Sequence, residues 1–168
     1  MAVLPILKVP DERLLRVSTK VTDFGDETQK NVKDLVDTLD KAKNPEGAGV
    51  AAPQVGISKR IIVVRNFLSD DTYEQFVLAN PKIISRSKET VTYWEGCLSV
   101  PNSWGQVPRY KKIKLRAQNQ FGEEIRLTAS NYFASVIQHE IDHLDGILFT
   151  AKVVGPTLTE EELDRVLV

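Results

Sequence analysis

The run His139-Glu140-Ile141-Asp142-His143 holds both histidines of the chain. On a helix turning about 100° per residue, His139 and His143 point within about 40° of each other, one turn apart. Two imidazoles so placed can bind one metal ion from a single rigid element. Glu140 falls about 60° round from His143, close enough to act on a metal-bound water without being a ligand. Pentapeptides of this form also arise by chance, and most lone histidines are ordinary surface or core residues. Here the whole histidine complement sits in the pattern, which favours the metal reading.

A catalytic site of this kind needs a third protein ligand and one open position. Three candidates stand in the sequence. The pattern continues as HExxHxxG through Gly146, the start of the metzincin signature, but the third histidine would fall at Phe149, which cannot ligate. A gluzincin-like protease would use a carboxylate about twenty residues on, Glu161 or Glu162. The last candidate is Cys97, the sole thiol, in Trp94-Glu95-Gly96-Cys97-Leu98-Ser99. A closed structural site would need a further Asp or Glu ligand, since no other Cys or His exists.

Several elements must position these groups. Phe133, Ile137, Ile141 and Leu144 recur on one side of a helix expected over about 130–145, ended by Gly146. Tyr132 and Val136 share the side of His139 and His143, so they line an apolar pocket or pack as ordinary core. Val32, Leu35, Val36 and Leu39 predict an earlier helix over about 28–43, stopped by Asn44-Pro45 and Gly47. Strands are expected at 61–64, 76–78, 83–84, 91–94 and 113–117, followed by a hairpin turn at Asn119–Gly122 and a strand at 125–127. Thr159-Glu160-Glu161-Glu162 opens a short last helix with a capping box. Strands bracketed by helices without βαβ alternation predict an α+β fold, with mixed or antiparallel strands around the HExxH helix. No repeat or linker divides residues 1–168, so one catalytic domain is expected.

Composition excludes other classes. Lys+Arg number 22 and Asp+Glu 23, a net charge of −1 that gives no reason to expect nucleic acid or an anionic membrane as partner. The opening apolar run is broken by Pro5 and lacks a basic flank, so neither a secretory signal nor a membrane span is expected. One cysteine rules out an intrachain disulfide and fits a reducing compartment. Gly47, Gly49 and Ala52 also fit a GxGxxA dinucleotide loop, but a helix precedes them and Pro53 disfavours a following one.

Three ordered segments resemble the peptide deformylase family: Gly47-Ala48-Gly49-Val50-Ala51-Ala52-Pro53-Gln54 for GxGxAAxQ, Glu95-Gly96-Cys97-Leu98-Ser99 for EGCxS, and His139 to His143 for HExxH. The opening 7–14 is similar as well. The resemblance implies that Cys97, His139 and His143 bind one divalent metal, Fe(II) in the cell, with Zn(II), Ni(II) or Co(II) suited to the same borderline-soft donors. It implies a hydrolase that removes the N-formyl group from the N-terminal methionine of nascent polypeptides and releases formate. Glu140 would move the proton, while the Gln54 side-chain amide and the Leu98 N–H would meet the oxyanion. Gly47, Ala48, Gly49, Val50 and Gly96 would line the substrate site with Tyr132 and Val136, a peptide adding as a strand beside the glycines.

Val50 replaces a leucine common in the first motif. The tail carries Glu160, Glu161, Glu162 and Asp164 against Arg165, unlike the basic terminal helix of longer bacterial members. Ribosome contact by that helix is therefore not expected. The implied setting is a bacterial cytoplasm, with an organellar mature form as the other option, and a monomer or weak oligomer. Glu95 and Arg109 either brace the Cys97 segment as an ion pair or stand as separate surface charges, the commoner case. Spacing assigns Asp142 no role.

Overall fold

The computed structural model describes residues 2–42, 47–70 and 72–168. It contains helices α1 (Asp26–Lys41), α2 (Asn131–Leu144) and α3 (Glu160–Leu167). The strands are β1 (Gly49–Ala51), β2 (Ile61–Ser69), β3 (Thr72–Arg86), β4 (Thr90–Cys97), β5 (Val100–Tyr110), β6 (Lys112–Gln118) and β7 (Glu124–Ser130). Five strands form one antiparallel sheet in the order β1-β2-β3-β6-β7, and β4 pairs with β5 in a second. The α+β class is as the sequence predicts, and α2 is the HExxH helix. No helix among the described residues is long and apolar enough to cross a membrane.

Alternation along the strands builds two apolar layers on the larger sheet. Ala51, Ile62, Val64, Leu78, Ile113 and Leu115 face α2, where Ile137 and Leu144 meet them with half-buried Ile141. Val50, Ile61, Val63 and Ala79 face the other way, onto Val32, Leu35 and Leu39 of α1. Thus α2 is clamped between the sheet and the β4–β5 hairpin, with its histidine side turned toward that hairpin.

Several boundaries differ from expectation, each for a local reason. Helix α1 begins two residues early, at Asp26, because Asp26 and Glu27 suit the positive end of the helix dipole and Gly25 serves as N-cap. The expected stop at Asn44-Pro45 lies outside the described residues. The pieces 76–78 and 83–84 belong to one strand, β3, bent at Asn80-Pro81, where Asn80 adopts φ 51° and the register shifts. Strand β5 escaped the reading because Pro101, Gly105 and Pro108 argue against a strand interior; a two-stranded ribbon tolerates them. Helix α2 ends as predicted, with Gly146 at φ 71° just beyond its cap. The Thr159–Glu162 capping box opens α3.

Ahead of α1 the chain is irregular but tied down. The Leu7 N–H donates to the Gln54 carbonyl at 2.7 Å, and the Val9 N–H donates to the Ser99 carbonyl at 2.9 Å. This strap joins the segment after β1 to the turn between β4 and β5.

Candidate metal centre

Three elements converge at the open side of α2. One ligand atom each from Cys97, His139 and His143 falls within 4.8 Å of the others, and Cys97 Sγ lies 3.2 Å from His143 Nε2. Cys97 ends β4, so the strand's pairing with β5 fixes the sulfur, while the helical i,i+4 step fixes the rings. Phe149, the residue at the would-be third-histidine position, stacks on His139 with centroids 6.1 Å apart. Glu161 and Glu162 stand elsewhere: Glu162 closes the capping box with Thr159 and Glu161 pairs with Arg165. The gluzincin-like arrangement is therefore overturned, because Cys97 and neither carboxylate completes the cluster with the two histidines.

Behind His139 lies a buried ionic chain that the sequence reading underrated. Glu95 Oε2 is 2.8 Å from His139 Nδ1, and Arg109 grips both Glu95 oxygens at 2.8 and 2.9 Å. Arg109 Nη1 reaches Asp142 Oδ2 at 2.5 Å, and Lys152 donates to Asp142 Oδ1 at 2.8 Å. Ser135 Oγ adds a hydrogen bond to Glu95 at 3.1 Å. So Glu95 and Arg109 are not separate surface charges, and Asp142 holds the far side of the guanidinium. Register explains it: Glu95 opposes Gly105 and Arg109 opposes Val91, placing both side chains on the hairpin face toward α2. Burial alone would push the Glu95 carboxyl up, but the bonds from Arg109 and His139 outweigh it and hold it down at about 2. An ionised carboxylate only accepts, so His139 Nδ1 must donate to it, leaving Nε2 free as a ligand.

Burial and neighbouring charge together push the two rings in opposite directions. For His139, burial disfavours the cation, yet the bonds to Cys97 and Glu95 and the charge of Glu140 push its pKa well up. For His143, burial and then the positive neighbour His139 push it well down. One thiol and two imidazoles are the soft-plus-imidazole donor set that holds borderline divalent metals.

Glu140 is 4% exposed, and its Oε2 has no hydrogen-bond partner. Burial, offset in part by His139, raises its pKa to about 7. Gly49 on β1 makes room for it: a Cβ there would meet Glu140 Cγ and Oε1 at 2.8 Å. Gln54 Oε1 accepts from the Ala51 N–H at 2.9 Å, which turns its Nε2 toward Ser99 Oγ at 3.2 Å and Cys97 Sγ at 3.5 Å. The cleft over these groups is lined by Gly47, Ala48, Gly49, Gly96, Leu98, Tyr132 and Val136, with Trp94 and Trp104, which sequence reasoning did not single out. Val50 is the exception. Alternate strand residues point oppositely, so its side chain is buried against α1 and does not line the cleft.

The comparisons with known proteins agree with this geometry. Residues 3–158 match the family model for polypeptide deformylase. The chain belongs to the peptide deformylase family. It is 45% identical over 149 residues to peptide deformylase 1 of Vibrio vulnificus, covering 89% of this chain and 85% of that one. It is 42% identical to the peptide deformylase of Pseudoalteromonas translucida, covering 89% and 86%. A peptide deformylase structure from Legionella pneumophila superposes with a TM-score of 0.82 at 36% identity, over 99% of this chain and 90% of that one. A class I type b peptide deformylase from Acinetobacter baumannii, bound to Met-Ala-Ser, gives 0.83 at 32%, over 90% and 99%. As a deformylase the chain is a metallohydrolase that removes the N-formyl group from the N-terminal methionine of nascent polypeptides.

Proposed function

We propose that Cys97, His139 and His143 hold the metal of this deformylase, Fe(II) in the cell, with Zn(II), Ni(II) or Co(II) accepted by the purified protein. What carries the reading is the meeting of one thiol and two imbedded imidazoles within 4.8 Å, beside a buried carboxylate oxygen that nothing else engages. When bound, the metal supplies Lewis acidity toward water and the formyl oxygen.

The chain's own groups do the rest. Glu140, with a pKa near neutrality, takes a proton from the attacking water and delivers it to the departing amine nitrogen. The C–N bond breaks, and formate and a free N-terminus leave. Gln54 Nε2 and the Leu98 N–H donate to the oxyanion, the former already aimed beside Cys97. Strand β1 is a sheet edge, so the peptide backbone adds alongside Gly47, Ala48 and Gly49. Val136, Tyr132 and Gly96 take the methionine side chain. Glu95, anchored by Arg109, sets the orientation of His139.

We further place the whole chain, 1–168, as one catalytic domain acting in a bacterial cytoplasm. An organellar mature form is the second setting, and any ribosome contact avoids the acidic α3. The test is formate release from a formyl-Met peptide, with bound metal assayed in parallel, for wild type and Cys97→Ala. Wild type is expected to carry one metal per chain and release formate, while Cys97→Ala loses both. A Cys97→Ala protein that keeps its metal refutes the ligand set.

A further inference from the structure

Although the chain's net charge is −1, its charge is not spread evenly. Helix α1 covers the outer face of the large sheet only toward β1 and β2. Beyond it, the outward residues of β3, β6 and β7 are largely exposed, and five of them, Lys82, Lys112, Lys114, Arg116 and Arg126, are cationic. Lys82 opposes Arg116, and Arg116 opposes Arg126, so three cations lie in one row across three strands. The next rows bring Lys114, between Ser85 and Thr128, and then Lys112. Among the described residues these rows hold no carboxylate; Glu124, one row further along and opposite Gln118, lies 3.5 Å from Arg126, and Asp145 lines the same hollow as Lys82 and Arg116.

Like charges directly opposite one another destabilise a sheet. Here such a row sits on strands only about 4.8 Å apart, and of its cations only Arg126 has an ion-pair partner among the described residues, Glu124. Partial relief would come from an anion laid across it. We propose that this face docks on the phosphate backbone of duplex RNA. Three cations in one row, with Lys114 and Lys112 in the next two, offer several contacts to neighbouring phosphates. Ser85 and Thr128 between them are hydroxyl donors of the kind that contact phosphate. No aromatic side chain stands among these rows to stack unpaired bases, which single-strand binders need. Nor does the face offer the apolar stripe that a membrane-surface binder buries in the acyl boundary. The substrate is a nascent chain, so RNA is the polyanion present where the enzyme works. The face lies across the sheet from α2, so docking leaves the cleft open.

The probe is a fluorescein-labelled RNA hairpin with a 20-base-pair stem, titrated with the full chain between 50 and 200 mM salt. With all five cations engaged, affinity is expected to fall roughly 500-fold over that range, at a slope of about 0.9 per phosphate contact. For Lys82→Gln/Arg116→Gln/Arg126→Gln the fall shrinks to roughly 12-fold, and binding at 50 mM weakens sharply. Formate release from a formyl-Met tripeptide stays at the wild-type rate, which shows that the variant is folded; Arg116→Gln alone gives a milder shift of the same sign. A control of equal charge, Lys30→Gln/Lys33→Gln/Lys41→Gln on α1, leaves RNA binding unchanged. The proposal is overturned if wild type does not bind the hairpin at 50 mM. It is also overturned if the sheet variant binds like wild type, if the α1 control loses as much, or if phosphatidylserine vesicles bind the face more tightly than RNA.

Discussion

A single methyl group added at Gly49 should silence the enzyme while leaving its metal in place. In Gly49→Ala the new Cβ would sit 2.8 Å from both Cγ and Oε1 of Glu140 and 3.0 Å from its Cδ. Ordinary carbon contacts lie at about 3.5–4.0 Å, so something must move by about 0.7 Å or more. Gly49 cannot retreat readily, because β1 is paired to Val64 and its neighbour Val50 is fully buried against α1. The carboxylate is the mobile partner, and it is displaced from where it must reach the water proton. Misplacement by about 1 Å costs roughly 100-fold in rate, so kcat should fall on that order, about 2.7 kcal/mol of barrier. Cys97, His139 and His143 are untouched by the methyl group, so metal content should remain that of wild type. The assay pairs steady-state formate release with elemental analysis of the same sample. Wild-type kcat would show that Glu140 need not stand where Gly49 lets it stand, and metal loss would show that the glycine serves the ligands instead.

Glu140→Gln should keep its metal and lose turnover by roughly 10²- to 10⁴-fold, the usual worth of a positioned proton carrier; formate release at the normal rate would remove Glu140 from the chemistry. Arg109→Met strands the buried carboxylates of Glu95 and Asp142, and should cost about 3–5 kcal/mol, read as a lower midpoint in urea. An unchanged midpoint would mean that the ionic chain stabilises nothing. Because the Glu95 carboxyl is held at about 2 against an ordinary 4.5, its contribution is complete above pH 4.5 and fades as pH falls toward 2. Wild type should therefore lose about 3 kcal/mol more over that window than Glu95→Gln, measured by urea melts at stepped pH. Parallel pH profiles for the two proteins would contradict the assignment.

The sequence exposed some of this design and hid the rest for physical reasons. Helix α2 was readable because its apolar residues repeat at the helical step and its two histidines occupy the opposite side. Cys97 could be tied to them only by resemblance, since 41 residues and the strands β5, β6 and β7 separate it from His139. The Glu95–Arg109–Asp142–Lys152 chain was unreadable from spacing, for charges in sequence look alike whether solvated or buried; only the β4–β5 register brings them together. Val50 was misassigned because a motif gives identity without strand phase, and period-two alternation turned its side chain away. Strand β5 hid behind its prolines, and the cationic rows of β3, β6 and β7 behind a net charge near zero.

The strap from Leu7 to Val9 has a practical meaning for anyone handling the protein. By bonding to Gln54 on one wall and Ser99 on the other, it sutures the two lips of the cleft from outside. Trimming residues ahead of Pro10, or hanging a bulky fusion partner there, would loosen the stitch and be felt as slack at the oxyanion donors rather than as fraying of a remote end.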